Sequence, residues 1–182
     1  MTDKHPGIRP RLSLVHRLDV IARQNFPMAS TLFMIIALSA PFGLPGQPQL
    51  QAGFALGSVY FWSLFRPAAM PALIVFLLGL LLDLLTGAPI GVSSLTLLVT
   101  HAIALKLRFT LSRQGFLYVW LVFIAIAALA SFLTYILVTA LIWHIFSPTP
   151  ALFGFLVAVG VYPVLATLLT RAHRGIAAPE RA

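Results

Sequence analysis

The run Phe76-Leu-Leu-Gly79-Leu-Leu-Leu-Asp83-Leu-Leu-Thr-Gly87-Ala-Pro-Ile-Gly91 carries one charged side chain in sixteen residues. Up to Thr86 it reads as an apolar helix, and Gly87 to Gly91 reads as a turn. A second apolar run follows without a charge until Lys106. Helix, tight reversal and helix, all too apolar for a water-facing surface, predict two membrane spans joined by a short loop.

The rest of the chain repeats the pattern. No Asp, Glu, Lys or Arg occurs from Gln24 to Phe65 or from Gln114 to Thr170, and Asp83 is the only one between Pro67 and Leu105. A spanning helix needs roughly 20 apolar residues to cross about 30 Å of hydrocarbon. Six segments meet that need, at about 27–44, 50–65, 68–86, 91–107, 116–146 and 151–170. They are parted by Pro41, Gly43, Pro45, Gly46 and Pro48, by Arg66-Pro67, by Gly87-Ala88-Pro89, by Lys106 to Arg113 and by Ser147 to Pro150. The fold class is therefore an all-α integral membrane bundle of six helices. No alternation suggests a barrel. At about 24 Å the second segment is short, and at about 46 Å the fifth must tilt or protrude. Tyr118, Trp120 and Trp143 mark the edges of the fifth.

Composition agrees. Of 182 residues 60% are hydrophobic and 9% charged, with a mean hydropathy of +0.99. A soluble domain carries about 25% charge. Cysteine is absent, which excludes disulfides and thiolate chemistry. The net charge of +8 comes from twelve basic residues against four acidic ones. In the six-span reading all twelve lie on one face: Lys4, Arg9, Arg11, Arg17, Arg23; Arg66; Lys106, Arg108, Arg113; Arg171, Arg174, Arg181. That is the positive-inside distribution, with both termini cytoplasmic. Basic residues spread over four segments do not make a nucleic-acid patch.

Three parts follow: a basic amphipathic cytoplasmic segment at 1–26, the membrane domain at 27–170, and a basic cytoplasmic tail at 171–182. The first is not a cleavable signal, because too many polar residues precede the apolar core. Leu14, Val15, Leu18, Ile21, Ala22 and Phe26 fall on one helical face opposite His16, Arg17, Asp19, Arg23 and Gln24, with Ser13 able to cap the helix. Such a helix suits an anionic lipid surface, or else a cytoplasmic partner.

Asp83 is the acid inside a span, where a carboxylate costs about 2.5–3.5 kcal/mol on insertion scales. Gly79 shares its face, so a neighbouring helix can approach there and meet the carboxylate. Unpaired N–H groups of the following turn, or of the next helix start, suit it as donors. A proton relay would need a second titratable group at matching depth; His144 is the one plausible candidate, since His101 lies deeper. Small and polar stripes mark helix faces: Gly53 and Gly57 in the second span; Ser93, Thr96 and Thr100 beside His101 in the fourth; Ser131, Thr134, Tyr135 and Thr139 in the fifth. Each reads either as helix packing or, for the fourth and fifth, as the lining of a lipid or ligand cavity. Pro71 suits a helix start, and Pro163 removes a donor from the sixth helix.

Catalytic signatures are missing. There is no Gly-x-Ser-x-Gly, His-Glu-x-x-His, phosphate loop or carboxylate pair. Ser93 or Ser94 with His101 would be the nearest nucleophile and base. We therefore expect no catalytic residue, no metal and no cofactor.

The run quoted at the outset resembles the Gly-x-x-x-Asp-x-x-x-Gly-x-x-x-Gly region of the MreD family of rod shape-determining membrane proteins. Length, six spans, the cationic cytoplasmic face and the missing catalytic motifs also fit. The resemblance implies a non-enzymatic inner-membrane scaffold of the bacterial cell-elongation complex, supporting peptidoglycan synthesis and cell shape. It implies MreC as partner, with MreB, RodA and the elongation transpeptidase reached directly or indirectly. Gly79, Asp83, Gly87 and Gly91 are its motif positions. It also implies a fold similar to the substrate-binding (S) components of energy-coupling (ECF) vitamin transporters. Two other functions are weighed against the scaffold: the substrate-binding subunit of such a transporter, with Gly53 and Gly57 as coupling surface, and a small lipid-modifying enzyme using His101 or His144 as base.

Overall fold

The computed structural model describes residues 14–40, 43, 45–143 and 147–177, with side chains from residue 25 to residue 172 of that set. The backbone forms six α-helices in antiparallel succession: α1 (Leu14–Ala37), α2 (Gln47–Phe65), α3 (Ala72–Thr86), α4 (Val92–Leu111), α5 (Phe116–Ile142) and α6 (Thr149–Ala177). A 3₁₀ turn at Pro67–Ala69 precedes α3. Arg66, Lys106, Arg108, Arg113 and Arg171 all lie at one end of the bundle, here the basic end; the α3–α4 turn lies at the other.

Several boundaries differ from the sequence reading. The backbone of α1 runs unbroken through Pro27, so the amphipathic segment and the first apolar segment form one helix. The hydroxyls of Ser30 and Thr31 donate to the Pro27 carbonyl. α3 begins at Ala72 behind Pro71 rather than at residue 68, because Pro67 and Pro71 allow only a short 3₁₀ turn between them. α4 continues to Leu111, which carries Lys106 and Arg108 on its final turns instead of in a loop. Long basic side chains can reach water from such positions. α6 passes through Pro163 without ending. Ser13, His144 and the two chain ends lie outside the described residues, as do the side chains of the N-terminal amphipathic face before residue 25.

Among the described residues, three helices are long and apolar enough to cross a membrane: Val92–Leu111, Phe116–Ile142 and Thr149–Ala172. Asn25–Ala37 and Ala72–Thr86 are shorter apolar helices. The most apolar of the three long helices, α5, is also the least buried. In a water-soluble protein that order would be reversed; here the outward residues face a medium as apolar as Leu. This is a membrane protein.

α2 occupies the centre and packs against α1, α4 and α6. From Ala55 to Leu64 every residue is buried. Its Tyr60 meets Phe123 of α5 and Tyr162 of α6, and those two rings stack 4.1 Å apart. The Tyr60 hydroxyl donates to the Val119 carbonyl at 3.0 Å, so this large side chain is buried with its polar tip satisfied. The inner helix can carry Ser, Tyr, Trp and Gln because protein rather than lipid surrounds it.

Candidate functional site

The α3–α4 hairpin is organised around Asp83, which is fully buried. Its backbone carbonyl accepts the N–H groups of Gly87 and Ala88, which closes α3. Its carboxylate accepts Gly91 N–H at 2.8 Å and Ser93 N–H at 2.9 Å, which opens α4. Gly91 is the residue before that helix and has no side chain to cap it. Asp83 therefore serves as a cap supplied from the preceding helix, and its charge faces the positive end of the α4 dipole. Two charge-assisted hydrogen bonds offset the cost of holding a carboxylate away from water.

The three motif glycines do different work. Gly79 faces α4 at its closest approach: a methyl group there would stand only 2.7 Å from the Ser94 nitrogen and closer still to its Cα. Ser94 in turn donates its hydroxyl to the Phe76 carbonyl at 3.2 Å. Gly87 and Gly91 adopt φ values of 69° and 101°, the left-handed region that a side chain disfavours. Gly79, Asp83, Gly87 and Gly91 thus meet in one hairpin, stitched at Phe76–Ser94, Gly79–Ser94 and Asp83–Gly91.

Gly53 and Gly57 belong to another interface. They place α2 against α6, where a methyl on Gly53 would meet the Ala158 Cα at 3.1 Å and one on Gly57 would meet Leu165 at 2.8 Å. Both glycines are turned into the bundle, away from any outer surface.

A cavity of about 470 Å³ opens beside the hairpin at the end opposite the basic one. Ala52, Gly53 and Leu56 of α2 with Gly154 and Ala158 of α6 form an apolar wall. Ser93 and Thr96 of α4 with Ser131, Thr134 and Tyr135 of α5 form a hydroxyl-bearing wall, in which Thr96 and Thr134 lie 3.2 Å apart. Gly87, Ala88 and Pro89 of the Asp83 turn lie on its rim. The polar stripes of the fourth and fifth segments therefore contribute to one chamber. Thr139 stands apart, with a buried hydroxyl that has no hydrogen-bond partner.

His101 is buried and lies 2.7 Å from the Ser63 hydroxyl through Nδ1. Ser63 also donates to the Val59 carbonyl at 2.5 Å. A hydroxyl has one proton, so the histidine Nδ1–H is the donor between them. Ser94 bonds the Phe76 carbonyl and Ser93 lines the cavity, so the hydroxyl that meets His101 is that of Ser63. Among the described residues no group of three His, Asp or Glu side chains could hold a metal ion.

The sequence reading overlooked the glutamines at the start of α2. Gln47 donates to the carbonyls of Leu38 and Ala40, and Gln51 donates to the Ile35 carbonyl at 2.8 Å and to the Ser39 hydroxyl. Ile35 belongs to the last turn of α1, where its carbonyl also accepts the Ser39 hydroxyl, and Leu38 and Ala40 lie just past the helix end, so the glutamines tie down the exit of α1. Away from water such groups need a donor from the protein itself. The signal was available: three of the chain's five glutamines fall within Gln47-Pro-Gln-Leu-Gln51.

The family model described as rod shape-determining protein MreD matches residues 23–172. The chain belongs to the MreD family. That match covers the whole α3–α4 hairpin and every wall of the cavity in this MreD-family chain. No curated protein and no solved structure matches it. Membership makes this a membrane protein of rod-shape determination.

Proposed function

We propose that this chain is a non-enzymatic scaffold in the bacterial inner membrane, which binds MreC and thereby supports peptidoglycan synthesis and cell shape. MreB, RodA and the elongation transpeptidase are reached directly or through MreC. The family match over residues 23–172 carries the reading. In this reading all six helices span, both termini are cytoplasmic, and the basic end meets anionic lipid.

The hairpin supports an architectural role for Gly79, Asp83, Gly87 and Gly91. The Asp83 carboxylate is committed to two backbone donors, which suits bracing better than proton relay. Bracing leaves the other face of α3 outward, with Leu73, Leu77 and Leu84 exposed. Beside it a groove of about 210 Å³ runs between Ile74, Leu77, Leu78 and Leu81 of α3 and Met28 and Leu32 of α1. Without a hydrophobic drive between helices, association in lipid depends on shape, and a rigid apolar groove offers it.

Co-purification in mild detergent tests the reading, with Asp83→Leu as the companion variant. The wild-type chain should retain MreC, and the variant should lose abundance and MreC together. A well-folded, abundant wild-type chain that retains no MreC overturns the proposal. An Asp83→Leu chain that keeps both yet loses shape control points to a relay instead.

A further inference from the structure

We infer that the cavity beside the Asp83 turn is a binding site for one uncharged amphiphile, a molecule with an apolar face and hydrogen-bonding groups that include an O–H or N–H donor. The inference stands independently of the scaffold reading.

Size comes first. About 470 Å³ falls within the range of small-molecule sites and admits a ligand of roughly 20 non-hydrogen atoms. Charge is decided by the lining, which among the described residues contains no Asp, Glu, Lys, Arg or His. The nearest acid, Asp83, already holds two N–H groups. An ion placed here would lose its hydration with no countercharge from the described lining. Amphiphilic character follows from the opposed walls, alkyl on α2 and α6 and hydroxyl-bearing on α4 and α5.

The need for a donor comes from Gln49. Gln49 lines the cavity, and its side-chain oxygen, shielded from solvent in this rotamer, has no hydrogen-bond partner; an amide oxygen can only accept, so a small turn of the amide would present it to a ligand donor. An unpaired buried acceptor is costly, so an arriving O–H or N–H is favoured there. Deeper in, the Thr96 hydroxyl already donates to the Val92 carbonyl, so Thr134 donates to Thr96 and keeps its own oxygen as a further acceptor. Thr134 lies eight residues before Ile142 on the rim, about 12 Å along α5, so one elongated molecule can touch both polar regions. Two sources share this chemistry: a neutral membrane lipid and a soluble compound from the far side of the membrane.

The test uses the full chain, extracted from cell membranes with a lipid-retaining polymer. Solvent extraction and mass spectrometry are compared with two cavity-filling variants, Ala130→Phe and Thr134→Phe. We expect one uncharged compound near 1:1 in the wild type and at least tenfold less in the variants; its identity separates lipid from soluble source. In parallel, 1-octanoylglycerol should raise the thermal midpoint of the wild type, whereas octanoate and octyltrimethylammonium should not. The filled variants, provided they melt cooperatively, should not respond. Equal response of wild type and filled variants, or no compound and no shift in the wild type, overturns the site. Equal stabilisation by the charged probes overturns the ligand class. Retention of MreC in the same preparations reports separately on the scaffold reading.

Discussion

Asp83 holds Gly91 across the α3–α4 turn, carboxylate oxygen to backbone nitrogen at 2.8 Å. The same residue ends one helix with its carbonyl and begins the next with its side chain. A single acidic position therefore sets where two helices stop and start.

Asp83→Leu should leave two part-buried N–H groups without their acceptor, a loss of about 2–4 kcal/mol. Asp83→Asn keeps one good acceptor and should fall between. Thermal midpoints in detergent and membrane abundance will rank them wild type, Asn, Leu. Asn below Leu would contradict the capping role.

Gly79→Ala should destabilise by about 1–3 kcal/mol, because the methyl meets Ser94 backbone that belongs to a packed helix and cannot move aside. Gly160→Ala is the control. Gly160 lies within α6 with open space around it, so alanine should be neutral or stabilising by up to about 1 kcal/mol. Equal effects at the two positions would show that close packing is not what Gly79 provides.

Gln51→Leu should cost about 0.5–1.5 kcal/mol, since the Ile35 carbonyl loses its donor from α2 and keeps the Ser39 hydroxyl. Proteolysis near residues 38–46 should accelerate in this variant, because the α1–α2 connection loses an anchor. Unchanged cleavage would place the restraint elsewhere.

Ser63→Ala and His101→Leu should couple by about 0.6–1.7 kcal/mol in a double-mutant cycle, the range for hydrogen bonds between membrane helices. Each single variant should retain cell-shape support in proportion to its abundance. Loss of shape control at full abundance in His101→Leu would instead favour chemistry at that ring.

Much of this was legible in the residues alone. The charge-free runs, parted by Pro and Gly, mark six helices, and the spacing of Gly79, Asp83, Gly87 and Gly91 marks the hairpin. Helix ends were less legible: α4 outlasts its apolar run because Lys106 and Arg108 tolerate helix as readily as loop. The glutamines of α2 went unread because their partners, carbonyls at and just past the end of α1, carry no sequence signature.

The sequence by itself determined that the chain is apolar enough for a membrane, that its described part divides into six helices, and that Arg66, Lys106, Arg108, Arg113 and Arg171 gather at one end. Only tertiary structure decided that α2 is central, that Asp83 caps α4, that Ser63 rather than Ser93 or Ser94 meets His101, and that two polar stripes share a cavity. The reason lies in the solvent. Water makes hydrophobic periodicity point to a core, but lipid is as apolar as the core, so the pattern along a helix cannot say which side faces protein. That choice rests on shape and hydrogen-bond partners, which exist only once the helices have met.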